Sequence, residues 1–525
     1  MRLQPFSDIR FRELSPLVRD YYAGAPVLRD FYRTPPSIEA IVNDANSRLF
    51  STEAFAALNQ SLIEQYTGYS LHESVTTNLR AIADQKAVCV TTGHQLCILG
   101  GPAFMLYKII STIQLARSIQ PLVSDKKVVP VFWMASEDHD RDEINHVFVN
   151  NKRIEWNTQQ TGAVGRFSTD GLDDVLQQIL DARADEVTKS YVDSFRDILK
   201  QHRTLAAATR AWVNACFGEW GVVVIDPDHA RLKHLFIPAM RRELIHRPTV
   251  AAVGETNAQL KQSGFDAQVN PRLINLFYLG IHSRVRIEST DGKWHTVDNS
   301  KEWTQESLLA ELSEHPENFS PNVLMRPLYQ ETILPNVAYV GGPGEIAYWL
   351  QLKETFRQFE LPMPAIVLRD AAMLVSEQCL RRLTKLGLTS ADLLRSKDEI
   401  IEQLIGGSKQ DFSNEKNRLQ VVYQELSERM ASIDPTLKAT ALAELQRVLS
   451  GMDQLQAKVW KALKVKEEQK ITAVNTIWNE LFPEGDWQER RENILAIAMA
   501  NDKELLRSLL AVFRAPSSTL VIAEI

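Results

Sequence analysis

Five carboxylates and two histidines crowd into the ten residues from Glu137 to His146, within VVPVFWMASEDHDRDEINHVFV. Like charges packed together raise some carboxylate pKa values, which is the condition for general acid–base work. Glu137, Asp138, His139 and Asp140 are therefore the candidate catalytic residues, with Asn145 as a neighbouring binding group. A charge run is usually a solvated loop. This one directly follows an apolar strand, Val128 to Met134, and in an open α/β sheet the carboxyl ends of strands are where ligands bind. The His139 to His146 spacing fits no compact ligand signature, so no tightly bound metal is expected.

Two further segments could hold a substrate. In AVCVTTGHQLCILGGPAFMLYKIISTIQLARSI, a strand (Val88 to Thr91) feeds a glycine-punctuated loop (Thr92 to Pro102) and then a helix (Ala103 to Ile119). Such an arrangement offers backbone N–H groups and a positive helix terminus to an anion. Gly93, His94, Gln95, Gly100 and Gly101 would form that cradle, and Lys108 in the second helical turn could reach its mouth. Gly-Lys-Ser/Thr is absent, so this is not a P-loop, and the glycines could merely close a tight turn. In MRPLYQETILPNVAYVGGPGEIAYWLQLKETF, a strand (Val337 to Val340) runs into glycines and a helix opening with Glu345. Gly342 and Gly344 satisfy a loose dinucleotide fingerprint, but Pro343 and the anionic Glu345 argue against a pyrophosphate there. Glu345 suits a helix start, or an acceptor for a substrate amine. Arg326, Gln330, Glu331 and Asn336 supply a polar array, with Arg326 as the carboxylate or phosphate clamp. There is no GxSxG elbow, and no cysteine lies in a nucleophile motif.

The elements that must position these groups belong to a 525-residue chain, long enough for about three domains. Its 44% hydrophobic content supplies a full core, which excludes a mainly disordered chain. A net charge of −7 gives no general field for nucleic acid. Four scattered cysteines fit neither a disulfide framework nor a zinc ribbon, and the charged first thirty residues lack a signal's apolar segment. No apolar run approaches the ~20 residues of a membrane helix. A cytoplasmic protein without membrane or nucleic-acid partners is expected.

Residues 1–80 read as short helices broken by Pro26, Pro35 and Pro36, a helical extension packed on the core. Residues 81–384 read as an α/β core with a largely parallel sheet, less regular over about 230–330, where RVRIESTDGKWHTVDN predicts a hairpin. From 385 to 478, glycine is almost confined to Gly406, Gly407 and Gly451. Leu419, Val422, Leu426 and Met430, then Leu445, Val448, Met452, Leu455, Val459 and Leu463, follow helical spacing on either side of Asp434-Pro435. Two long antiparallel helices are predicted, their apolar seam buried in the chain or against a second copy. Residues 479–525 return to the core and end in a strand, STLVIAEI.

VTTGHQLCILGGPAFMLYKIIS, VPVFWMASEDHDRDEINHV, RPLYQETILPNVAYVGGPGEIAYW and LFPEGDWQERREN occur in this order. Together they resemble the bacterial BshC family, the cysteine ligase of bacillithiol biosynthesis, over essentially the whole chain. The resemblance implies an α/β, Rossmann-like core related to class I nucleotidyltransferases, with connecting-peptide insertions and an antiparallel α-helical coiled coil used for homodimerisation. It implies addition of L-cysteine to glucosaminyl malate by an amide-forming ligase. ATP is the expected co-substrate, with Mg2+ as an optional companion. On this reading Gly93-His94-Gln95, Gly100-Gly101 and Lys108 hold phosphates. Glu137, Asp138, His139 and Asp140 bind the amine, and His139 takes its proton. A metal-dependent hydrolase or other transferase using the same acidic cluster, and a non-catalytic coiled-coil assembly protein, are the competing readings.

Overall fold

The computed structural model describes residues 2–6, 14–406 and 411–525. Gly407, and residues 7–13 of the expected N-terminal extension, lie outside the described residues. The chain forms two compact units. One comprises Leu3–Met373 with Gln488–Val521, and the other comprises Leu374–Trp487 with residues from both chain ends, including Ile522–Ile525.

The first unit is built on five parallel strands: β1 (Ala87–His94), β2 (Lys127–Met134), β3 (Val223–Ile225), β4 (Asn336–Gly341) and β5 (Ala365–Leu368). Their spatial order is β5-β4-β1-β2-β3. Val, Ile, Ala and aromatic residues dominate these strands, and almost every position is buried. That is the signature of strands covered on both faces. Helix α1 (Ala103–Ile119) packs Leu115, Ala116 and Ile119 onto Val88, Val90, Val128, Val337 and Val340 of the sheet. It is buried almost all round, so apolar residues occupy nearly every position rather than one stripe.

Strand order determines where a ligand can enter. The chain lays down β1, β2 and β3 towards one edge, then returns to place β4 on the other side of β1. Connections leaving β1 and β4 diverge, and a crevice opens above their carboxyl ends.

The stretch expected to be least regular is well ordered, which corrects that expectation. It holds α2 (Ala230–His246), a helix over Pro248–Gln262, and a five-stranded antiparallel sheet from Leu276 to Pro321. The predicted hairpin is present as Arg284–Thr290 paired with Lys293–Thr296. Asp291 and Gly292 both take positive φ, as a tight turn matched to strand twist requires. The first eighty residues supply helices over Pro16–Tyr22, Ile38–Ser47, Thr52–Gln65 and Glu73–Ala83. They also contain a strand, Arg2–Phe6. Helix α3 (Arg326–Ile333) precedes β4, and α4 (Pro343–Trp349) follows it.

In the second unit, α5 (Ser413–Ala431) and α6 (Leu437–Lys466) reverse at Asp434-Pro435, where the Asp434 carboxylate accepts from the Thr436 N–H. Lys416 pairs with Asp453 at 2.6 Å, so the two helices run antiparallel. Their apolar seam is only partly covered. Val421, Val422, Leu426, Leu442, Leu455 and Val465 are exposed, with Val422 at 56%.

Candidate active site

A cavity of 820 Å3 opens at the carboxyl ends of the central strands. Gly93 and His94 end β1, Glu137, Asp138 and His139 follow β2, Pro227 follows β3, and Glu345 follows β4; all of them line it. The three segments singled out in the sequence therefore meet in one cleft. Lys108 and Arg326 line it too, as does Gln95. The opposite wall comes from the 269–286 stretch and residues 321–323, bringing Arg272, Phe277, Arg284 and Arg286.

Two buried ionic networks hold the cleft. In the first, the Lys108 ammonium donates to the Gly93 carbonyl and to Glu345 Oε2 at 2.7 Å. Glu345 also accepts from the Gly342 N–H at 2.8 Å and the Tyr339 hydroxyl at 2.5 Å. Burial alone would raise the Glu345 carboxyl, but Lys108 and these donors bring it below the usual carboxylate range. Burial lowers the Lys108 ammonium. Arg326 stands beside this pair, donating to the Tyr348 hydroxyl at 2.6 Å.

In the second network, Glu137 lies 2.6 Å from the ammonium of Lys233, a residue of α2 that is 1% exposed. Lys233 also faces Asp228 at 3.4 Å and donates to the Glu317 carbonyl. Arg166 holds Asp228 through two bonds of 2.7 and 2.9 Å. Burial raises the Glu137 carboxyl, with Lys233 opposing it. Asp138 differs. Its carboxylate accepts from the His139 N–H at 2.8 Å and from Gln95 Nε2 at 3.0 Å, and it faces Arg284 at 3.4 Å. Against burial, the neighbouring His139 side chain, Arg284, Gln95 and the His139 N–H hold it well below the usual range.

Several expected site residues stand elsewhere. Gly100 and Gly101 do not line the cleft. Both adopt positive φ, the Gly101 N–H is committed to the Ile98 carbonyl, and a Cβ on Gly101 would meet Cys97 Cβ at 2.6 Å. The carbonyls of Leu99 and Gly101 hold Asn493, and the Ala103 N–H at the start of α1 donates to the Glu492 carbonyl. The protein itself thus occupies the helix terminus expected to receive a phosphate. Asp140 is an exposed helix cap, accepting from the Glu143 N–H. Asn145 is buried against Glu155 outside the cleft, and Gly342 and Gly344 open α4 without lining it. Gln330, Glu331 and Asn336 form a buried network with Thr91, around the amino end of β4. Burial there pushes Glu331 up to about 8. His94 is in the cleft, donates from Nδ1 to the Gln95 carbonyl, and is lowered by burial to about 4, so it is neutral.

Lys233, Asp228, Arg166, Arg272, Arg284 and Arg286 were not legible as site residues. The one sequence signal was the RVR of the hairpin strand, which puts Arg284 and Arg286 on one face. Among the described residues, no cluster of His, Cys, Asp and Glu could hold a metal ion.

Residues 4–370 match the model described as bacillithiol biosynthesis BshC, N-terminal Rossmann-like domain, and residues 372–524 match its C-terminal coiled-coil domain. The chain belongs to the BshC family. A relative named "Putative cysteine ligase BshC" from Cytophaga hutchinsonii is 36% identical, over 95% of this chain and 94% of its own. One of the same name from Flavobacterium psychrophilum is 35% identical, over 94% of each chain. One from Bacillus cereus is 28% identical, over 91% of this chain and 92% of its own. For this BshC-family chain the α/β, Rossmann-like core and the coiled-coil domain are therefore those of its family. Among the described residues, no helix is long and apolar enough to cross a membrane.

Proposed function

We propose that the chain is an amide-forming ligase that adds L-cysteine to the amine of glucosaminyl malate, with ATP activating the cysteine carboxylate. The observation that carries this reading is one cleft in which carboxylates from the ends of two parallel strands meet the guanidinium groups of the facing wall and of α3. Its 820 Å3 suits small-molecule substrates. The relatives' shared name supplies the substrate class.

An amide does not form from a carboxylate and an ammonium in water without activation. ATP would convert the carboxylate to an acyl phosphate or adenylate, and the amine would displace phosphate or AMP. Glu137, beside the cleft wall, suits an ammonium. Arg272, Arg286 and Arg326 suit carboxylate or phosphate oxygens, which accept from guanidinium forks. Mg2+ is proposed to arrive with the nucleotide. Glu137 and Asp138 already face Lys233 and Arg284, which favours the ligase over a metal-dependent hydrolase built on this loop. The chain is further proposed to form a homodimer through the coiled coil, whose exposed Val422, Leu426 and Leu455 need a partner surface.

The test incubates the full-length protein with ATP, Mg2+, L-cysteine and glucosaminyl malate, and follows nucleotide turnover and product mass. The reading expects turnover that needs both acceptor and cysteine. Absence of the thiol product, with folded protein and all substrates present, would overturn it.

A further inference from the structure

We infer that His139 serves the cleft as a hydrogen-bond donor through Nε2–H, its tautomer set by Arg284, which is thereby a positioning residue of this site. The chemical consequence rests on the ligase reading; the tautomer does not.

Arg284 opens the hairpin strand, and its side chain is 9% exposed. Its guanidinium lies over the Phe277 ring, 4.0 Å from the centroid. Nη2 donates to the Pro321 carbonyl at 2.9 Å, and Nε donates to Ser320 Oγ at 3.2 Å. So anchored, the group aims Nη1 at His139 Nδ1, 3.2 Å away, and at Asp138 Oδ1, 3.4 Å away. A guanidinium has five donors, no acceptor, and stays charged. The nitrogen it meets must therefore offer a lone pair. Asp138 Oδ1 stands 3.4 Å from the same nitrogen, farther than Nη1, and accepts at 2.8 Å from the His139 backbone N–H. A neutral imidazole carries one ring proton, and here that proton goes to Nε2. The ring tilts against Phe277 and is 44% exposed, so its Nε2 edge is the one left to the cleft.

A base must accept a proton on a lone pair. In this tautomer the lone pair is at Nδ1, covered by a cation, and an imidazolium would form against Arg284. His139 instead donates to a substrate oxygen that gains charge in the reaction. The ammonium proton then passes to the Glu137 carboxylate, leaving a neutral amine and a carboxylic acid, which returns the proton to water. The charged groups facing His139 are Asp138 on its own loop and Arg284 on the facing sheet; those facing Glu137 are Lys233, Asp228 and Arg284.

The test uses full-length protein labelled with [15N]histidine, with His139 assigned by its loss in His139→Gln. Ring correlation spectra of the neutral ring, taken at pH 8.5, are expected to show an unprotonated Nδ1 and a protonated Nε2. Arg284→Met, with Arg284→Lys as a second variant in case the first does not fold, is expected to move the Nδ1 signal towards the protonated form. A protonated Nδ1 in the parent protein, or no movement in either variant, overturns the inference. In turnover, His139→Gln keeps an N–H near the Nε2 place and is expected within about 10-fold of the parent, while His139→Ala and His139→Asn lose about 100-fold or more. The acid limb of the pH profile is expected to stay in place in His139→Gln. Its disappearance, or a loss equal to that of His139→Ala, overturns the donor role. A parent protein that makes no product while showing the assigned tautomer would sink the ligase reading alone.

Discussion

Lys233→Met isolates the deepest electrostatic dependence of the cleft. Lys233 is 1% exposed and lies 2.6 Å from Glu137, 3.4 Å from Asp228 and 3.1 Å from the Glu317 carbonyl. Methionine fills nearly the same volume, so little of the loss comes from packing. Asp228 keeps both bonds from Arg166, and the uncompensated charge falls on Glu137. Breaking a buried pair on one side costs about 3–5 kcal/mol while the remaining partner stays charged. Glu137 can escape by taking a proton, at about 1.4 kcal/mol per pH unit. Its folded pKa already stands above the ordinary value, and removing Lys233 raises it further. A carboxyl with a raised folded pKa binds more protons folded than unfolded, so stability falls as pH rises from its unfolded pKa through its folded one. The variant is therefore expected to lose about 3 kcal/mol at pH 8.5 and about 1 kcal/mol at pH 5.5. At roughly 2 °C per kcal/mol for a unit of this size, Tm should drop by about 6 °C and 2 °C respectively. Scanning calorimetry at both pH values, paired with Lys233→Met/Glu137→Gln, decides it. The double variant should recover most of the loss at pH 8.5. A pH-independent loss, or single-variant losses that simply add, would refute the account.

Glu331→Gln should gain on the parent protein as pH rises from about 5 to 8. The folded carboxyl, raised to about 8, keeps its proton across that window while the unfolded one ionises, so the parent loses stability, whereas an amide does not titrate; paired Tm values read this directly. Gly101→Ala forces a Cβ to 2.6 Å from Cys97 Cβ at a positive φ, and should cost about 1–3 kcal/mol in denaturant unfolding, against an unchanged Tm if the loop tolerates a side chain. Asp140→Ala removes a helix cap and should cost about 1 kcal/mol while leaving turnover within a few-fold; a loss of 100-fold would restore Asp140 to the chemistry. Leu426→Glu should convert a dimer to a monomer in light scattering, and an unaltered mass would place the interface elsewhere.

The strands, the coiled-coil reversal and the acidic cluster were legible in the amino-acid order because each is a local pattern. Val88 to Thr91 and Val128 to Met134 read as buried strands and are β1 and β2. The hairpin turn was written in Asp291-Gly292, and the helical reversal in Asp434-Pro435. Residue order also marked the place where an apolar strand ends in carboxylates, and Glu137, Asp138 and His139 there line the cleft. Tertiary structure decided which of those groups work together. Lys108 meets Glu345 across 237 positions, and Arg284 meets His139 across 145. Nothing in the spacing of either partner encodes the other, because their approach follows from strand order. The same order sent Asn336 and Glu331 into the core, and the segment around Glu492 closed the helix end that the glycines seemed to offer. Periodicity reports which face of an element is buried; only the packed chain determines which charges must neutralise one another once water is gone, since the cost of a buried charge depends on neighbours that the local sequence does not contain.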